Sequence, residues 1–269
     1  MTNPAVVRGV VLHQRGPGRW LPLARRYAAA AALMLIVLAL LEWGLPAAQV
    51  PAYLLPPPSR VLARLVGPGD LWLHAALTAQ AAILGLAMGS LIGLLLALAF
   101  VRLRPLEDVL YPWVLLSQAV PAAALAPLLT IWLGHGLAPR VAMAALFAFF
   151  PILVSTVRGL RDVSPEQLGL LRSWGARPRD VFLHLRLPAS LPAVFAGLKV
   201  AAALAVVGAI VSELAGAGRG LGFVVSVGSY HLQTDRVFAA IALAAALSLT
   251  LHGLLALIEW LVIFWRRGR

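Results

Sequence analysis

The side chains best suited to metal or acid–base work are six histidines: His13, His74, His135, His184, His231 and His252. No two stand at metal-ligand spacing and no His-Glu-x-x-His occurs, so separate structural roles are expected. The absence of cysteine excludes disulfides, zinc thiolates and iron–sulfur ligation. Lys199 is the one lysine, with Leu198 before it and Val200 after it. A Walker A loop requires Gly-Lys-Ser/Thr, so this chain does not hold ATP in that way. The glycine-rich stretch Ser212 to Gly222 lacks the spacing and strand context of a dinucleotide site, and a tight re-entrant turn is expected there. The acids of the apolar stretches are Glu42, Glu213 and Glu259, each near an end. No nucleophile, base and metal set converges, so an enzyme is not expected.

The polar chemistry concentrates instead in one loop, from Arg158 to Pro192, which carries six arginines: Arg158, Arg161, Arg172, Arg177, Arg179 and Arg186. Ser164 is a good N-cap, Pro165 suits the first helical position, and Gln167 completes a capping-box pattern. A short helix from Pro165 to about Trp174 follows, with Leu168 and Leu171 three apart and Leu170 and Trp174 four apart, giving it an apolar side. Gly175 stands where a left-handed C-terminal residue is expected. Pro178 opens a second short helix bearing Val181, Phe182 and Leu185, and Pro188 is expected to end it. About ten residues give a helix of roughly 15 Å, too short to cross a bilayer. Such a helix, held in a basic loop, wants a partner groove.

Gly175, nine residues, Leu185, one residue, Leu187-Pro188 resembles the cytoplasmic signature of binding-protein-dependent ABC importer permeases, which reads E-A-A, three residues, Gly, nine residues, Ile, one residue, Leu-Pro. The E-A-A positions here hold Gly169, Leu170 and Leu171, a departure from the pattern. The chain is most similar to the nitrate/sulfonate/taurine type, through Leu55 to Leu65, Phe149 to Glu166 and Ser212 to Gly222, and the likeness runs from about Leu54 to the C-terminus. The resemblance implies an all-α, type I importer-like permease. It implies a homodimer, two separate ATPase subunits that bind ATP and Mg, and an external solute-binding protein. It makes Glu166, Leu168, Gly169, Leu170, Leu171, Trp174, Gly175, Leu187 and Pro188 the expected ATPase-coupling residues, with alternating access as the mechanism.

The elements that would position this loop are membrane spans. The chain is 61% hydrophobic and 12% charged, with a net charge of +12 and a mean hydropathy of +0.91. A soluble domain does not carry several apolar runs of about 20 residues. A basic leader occupies 1–26 and a first span 27–45. Its apolar run is too long for a usual signal-peptide core and no clear Ala-x-Ala site follows. An external connection covers 46–74, with a surface helix expected over Ser59 to Leu65. The core permease domain is 75–265, with the cytoplasmic coupling loop at 158–190 and a tail at 266–269. Its spans are expected at about 75–101, 109–133, 140–157, 191–214 and 237–265, six in all with the first.

In the second span Gly85, Gly89 and Gly93 form a smooth ridge, expected to pack within one subunit in preference to a dimer seam. Tyr111, Trp113 and Trp132 suit the membrane interfaces. Pro121 follows Ser117 and Gln118, and such prolines mark either a cavity or a kink. Lys199 is expected either to reach the cytoplasmic edge or to face a water-filled path. Gln118, Pro121, Ser155 and Glu213 are the candidates for a translocation path. With the N-terminus inside, sixteen arginines fall on the cytoplasmic side and five outside, as the positive-inside rule requires. This orientation puts both termini in the cytoplasm, and the resemblance implies a bacterial inner membrane.

A secondary transporter is the reading from another class; it would commonly show central coupling acids and an internal repeat. Sulfonate-, taurine- or nitrate-like anions are the first expectation for the solute, with a thiamine-precursor pyrimidine or other small organic solute as the alternative.

Overall fold

The computed structural model describes residues 20–216 and 218–266, and the side chains of 28–216 and 218–265. Most of the expected leader and residues 267–269 of the expected tail lie outside the described residues. Among the described residues, five helices are long and apolar enough to cross a membrane, or six if one bent pair counts as a span.

Helix α1 (Trp20–Ala39) passes through a wide turn over Leu40–Gly44 into α2 (Leu45–Ala47). Its side chains from Leu33 to Leu38 lie exposed, as suits a helix surrounded by lipid. The expected surface helix is α3 (Pro58–Val66). Glu42 accepts a hydrogen bond from the Ser59 backbone N–H at 2.9 Å, satisfying a free donor of its first turn.

Helix α4 (Leu71–Arg102) is 32 residues, about 48 Å at 1.5 Å per residue, and overhangs a hydrocarbon core of about 30 Å. The next span, where Pro121 was expected to mark either a cavity or a kink, is divided into α5 (Arg104–Ala119) and α6 (Ala122–Leu133), bent by 99°. Pro121 is the cause. It lacks an N–H, and its ring drives Val120 into extended backbone at φ −72° and ψ 126°.

Helix α7 (Leu137–Arg161) is the centre of the bundle, and α8 (Pro165–Ser173) follows it. Next come α9 (Pro178–Val181), a π-helical turn at Phe182–Arg186 and α10 (Leu187–Leu214). These three run as one span, Pro178–Leu214, so Pro188 does not end a helix as expected. The Leu187 N–H donates to the Phe182 carbonyl five residues back. The extra residue in that turn relieves the clash that a proline ring makes with the carbonyl four residues before it. Helix α11 (Leu221–Tyr230) and helix α12 (Thr234–Val262) complete the order.

Helices α4 and α10 pack on α7 through a seam of small residues, among them Ala81, Ala144, Ala148, Ala201, Ala205 and Ala209. The glycine ridge of α4 faces this seam. A Cβ at Gly89 would stand 2.7 Å from the Ala145 carbonyl oxygen and 3.0 Å from the Ala148 Cβ. The ridge therefore serves packing within one subunit, and backbone proximity compensates for the weak drive to associate that apolar surfaces have in lipid. Val61 and Leu65 of α3 pack against the cluster shared by α11 and α12, and Arg64 pairs with Asp235 at 2.6 Å.

Candidate functional site

The loop between α7 and α10 forms a helix of the expected kind. The Ser164 hydroxyl accepts from the Gln167 backbone N–H at 3.2 Å. The Glu166 carboxyl is held below the ordinary glutamate range by hydrogen bonds from its own backbone N–H and the Ser164 hydroxyl. The helix ends in a Schellman turn: Ala176 N–H donates to the Leu171 carbonyl at 3.1 Å and Gly175 N–H to the Arg172 carbonyl at 3.0 Å. Gly175 adopts φ +75°, which costs a residue with a side chain energy that glycine avoids.

The four apolar residues of α8 and its end do not share one side. Leu168 and Leu171 turn inward and are half-buried; Leu168 lines a cavity of about 900 Å³ beneath the loop. Leu170 and Trp174 point outward, 53% and 74% exposed. The helix thus uses one pair to seat itself and presents the other. Gly169 has open space at its Cβ position. Leu187 and Pro188 lie at the root of α10, next to the wide turn that lets the helix continue.

The two glycines should respond oppositely to the same change. Gly169→Ala removes a helix-weakening residue and is expected to stabilise α8 by about 1 kcal/mol. Gly175→Ala is expected to cost on the order of 1 kcal/mol by straining the left-handed turn. Transport and ATPase capture measured for both variants check this: Gly169→Ala should be intact or improved and Gly175→Ala impaired. The reverse order would mean the helix boundary at Trp174 is wrong.

The four path candidates fall in three settings. Gln118 and Pro121 are exposed at the α5–α6 bend, with Gln118 Nε2 3.3 Å from the Ser117 Oγ. Ser155 lies half-buried in the α7–α10 seam, where it meets Gly197. Glu213 is 1% exposed. None of the four lines the cavity under α8 or the one of about 450 Å³ between α5 and α7.

Glu213 belongs to a buried polar knot. Its carboxylate accepts from the Thr78 hydroxyl and from the Gly222 backbone N–H, each at 2.9 Å, and lies 3.7 Å from the Arg140 guanidinium. Thr78 in turn accepts from the Leu221 N–H at 2.8 Å. Gly220 N–H donates to His74 Nδ1 at 2.9 Å, so the His74 proton sits on Nε2, facing Asp70 at 3.1 Å. Here the glycine-rich stretch makes the tight turn expected of it, with Gly216, Gly218 and Gly220 at positive φ. It folds α11 back beside α10, α12 and α4. Sequence reasoning did not find this knot: Thr78, Arg140 and Glu213 are far apart in the chain, and only long-range packing brings them together.

Lys199 has a partner that its sequence neighbours did not point to. Its ammonium pairs with Glu259 of α12 at 2.7 Å, with both side chains about three-quarters buried. All three glutamates of the apolar stretches are therefore engaged: Glu42 with the start of α3, Glu213 in the knot, Glu259 with Lys199.

Residues 89–262 match the family described as the binding-protein-dependent transport system inner membrane component. The chain belongs to this family. Three relatives agree. A riboflavin transport system permease of Chloroflexus aurantiacus is 34% identical over 86% of this chain and 88% of its own. A formylaminopyrimidine transport permease of Halalkalibacterium halodurans is 31% identical over 90% of this chain and 98% of its own. A taurine transport system permease of Escherichia coli is 31% identical over 89% and 90%. The chain is accordingly an all-helical, multi-pass membrane permease of the type I ABC importer kind, not a catalytic subunit; the ATPase is a separate polypeptide. Such permeases work with an ABC ATPase and a solute-binding protein.

Proposed function

We propose that two copies of this permease form the path by which a small organic solute, delivered by an external binding protein, crosses the inner membrane. Both termini and the α8 loop face the cytoplasm. Two partner ATPases bind ATP and Mg beneath the dimer, and α8 seats Leu170 and Trp174 in a groove on each. Closure of the ATPases moves α7 and α10 together as a near-rigid body, because the glycine and alanine seam locks them. For this to couple, the groove must hold α8 better in one state than in the other. The observation that carries the reading is the exposed Leu170 and Trp174 pair on a helix capped at both ends. A secondary transporter would need a free intramembrane acid, and the three glutamates of the apolar stretches are all engaged.

For the solute, a pyrimidine-like or other heterocyclic compound is the better reading. The cations that α7 and α10 carry outside the loop end, Arg140 and Lys199, each face a glutamate, leaving neither as a counter-charge for a passing anion. Relatives named for riboflavin and formylaminopyrimidine accord with this. A sulfonate-like anion is the second reading, favoured by the taurine relative. Calorimetry on the cognate binding protein decides: saturable binding of formylaminopyrimidine or riboflavin but not taurine is expected, and taurine binding alone reverses the order.

A further inference from the structure

The cavity of about 900 Å³ lies between the C-terminal end of α4, the α8 loop and the start of the long α9–α10 span. Arg102, Arg172, Arg177, Arg179 and Arg186 all line it, and no acidic residue does. Among the described residues none of the five guanidinium groups meets a carboxylate. Asp180, next to Arg179 in the chain, turns its carboxylate to the Arg177 backbone N–H at 3.1 Å. Five like charges around one cavity repel each other unless an anion joins them.

The same cavity has an apolar edge. Leu98 and Val101 of α4 and Phe182 and Leu183 of the wide turn complete its lining. Leu98 and Leu183 are exposed and continue into the exposed Leu95 and Leu187 on the same two helices. Those helices are membrane spans, so this edge adjoins acyl chains while the arginines stand where the spans end. Guanidinium groups match phosphate oxygens in paired hydrogen bonds, and basic pockets between spans on the inner face suit anionic headgroups.

We propose that this cavity takes the phosphodiester headgroup of an anionic lipid from the cytoplasmic leaflet, with its acyl chains along Leu95, Leu98 and Leu187. The bound phosphate bridges the end of α4 to the loop that carries α8. The coupling helix is then seated partly by lipid, and seating strengthens as anionic lipid rises and weakens with salt. The inference rests on the inward orientation of the loop proposed above.

The test uses the full-length permease and native mass spectrometry, with phosphatidylglycerol and phosphatidylcholine as probes. Wild type should retain phosphatidylglycerol in preference to phosphatidylcholine. An Arg172→Gln/Arg186→Gln variant should lose that preference, by roughly thirtyfold for two arginines. Equal retention of the two lipids by wild type overturns the proposal, and that measurement stands even if the variant does not reach the membrane. Undiminished retention by a well-folded variant also overturns it. Displacement of the lipid by inorganic phosphate would assign the cavity to a free anion instead. A variant that keeps lipid but loses the ATPase would assign it to protein docking. Both outcomes defeat the proposal. Because the chain has no cysteine, labelling of a Ser173→Cys variant from either side reports the loop's orientation independently of lipid retention.

Discussion

A Leu170→Ala/Trp174→Ala permease is expected to reach the membrane in normal amount and to fail to capture its ATPase. Both side chains lie on the outer face of α8 with little to hold them within the subunit. Truncating them therefore removes almost nothing from the permease's own core. In a partner groove the same residues would be the buried anchors. A buried aromatic anchor such as Trp174 is worth on the order of 2–4 kcal/mol when truncated, a loss of about thirtyfold to a thousandfold in Kd before that of Leu170 is added. Co-purification with the ATPase and transport in the reconstituted complex measure the loss. Leu168→Ala provides the contrast. Leu168 faces the cavity under α8, so its loss should loosen the loop and lower the thermal stability of the permease itself. Retained ATPase capture by the double variant would remove α8 as the coupling element.

Loss of the folded protein is the expected result for Glu213→Ala. The change leaves the Arg140 guanidinium, already nearly buried, without its counter-charge. It also takes an acceptor from Thr78 and Gly222. Breaking a buried pair from one side costs about 3–5 kcal/mol, and the knot ties the start of α11 to α4 and α10. Membrane-fraction yield and thermal unfolding in detergent should both fall sharply. Removing both charges, as in Arg140→Met/Glu213→Leu, should recover part of the loss, since no lone charge remains. Lys199→Met is expected to do less damage, because that pair keeps about a quarter of each side chain exposed. A Glu213→Ala protein that is stable yet inactive in transport would instead return Glu213 to the translocation path.

These results would also separate what is local in this chain from what is not. Helix α8 is local: its cap at Ser164, its Schellman glycine at Gly175 and its length follow from neighbours a few residues apart, so the sequence determined it. The spans are legible for the same reason, since about 20 apolar residues in lipid have no choice but a helix. The family was legible in the spacing from Gly175 to Pro188. The side on which each helix residue faces was not. Leu168 and Leu170 look alike in sequence, yet one seats the helix and the other presents a surface, and only the position of the end of α4 and of the turn before α10 settles which.

Proline was read locally, and that reading held at Pro121 and failed at Pro188. Pro121 breaks its span and Pro188 does not, because a wide turn before Pro188 moves the opposing carbonyl away. That turn depends on how the loop end packs. The polar groups show the limit most clearly. Lys199 and Glu259 are 60 positions apart, and Thr78 and Glu213 are 135 apart. Burial makes each unpaired group costly, which guarantees that partners exist. Which partner satisfies which group was decided only by the tertiary structure, where α4, α7, α10 and α12 meet.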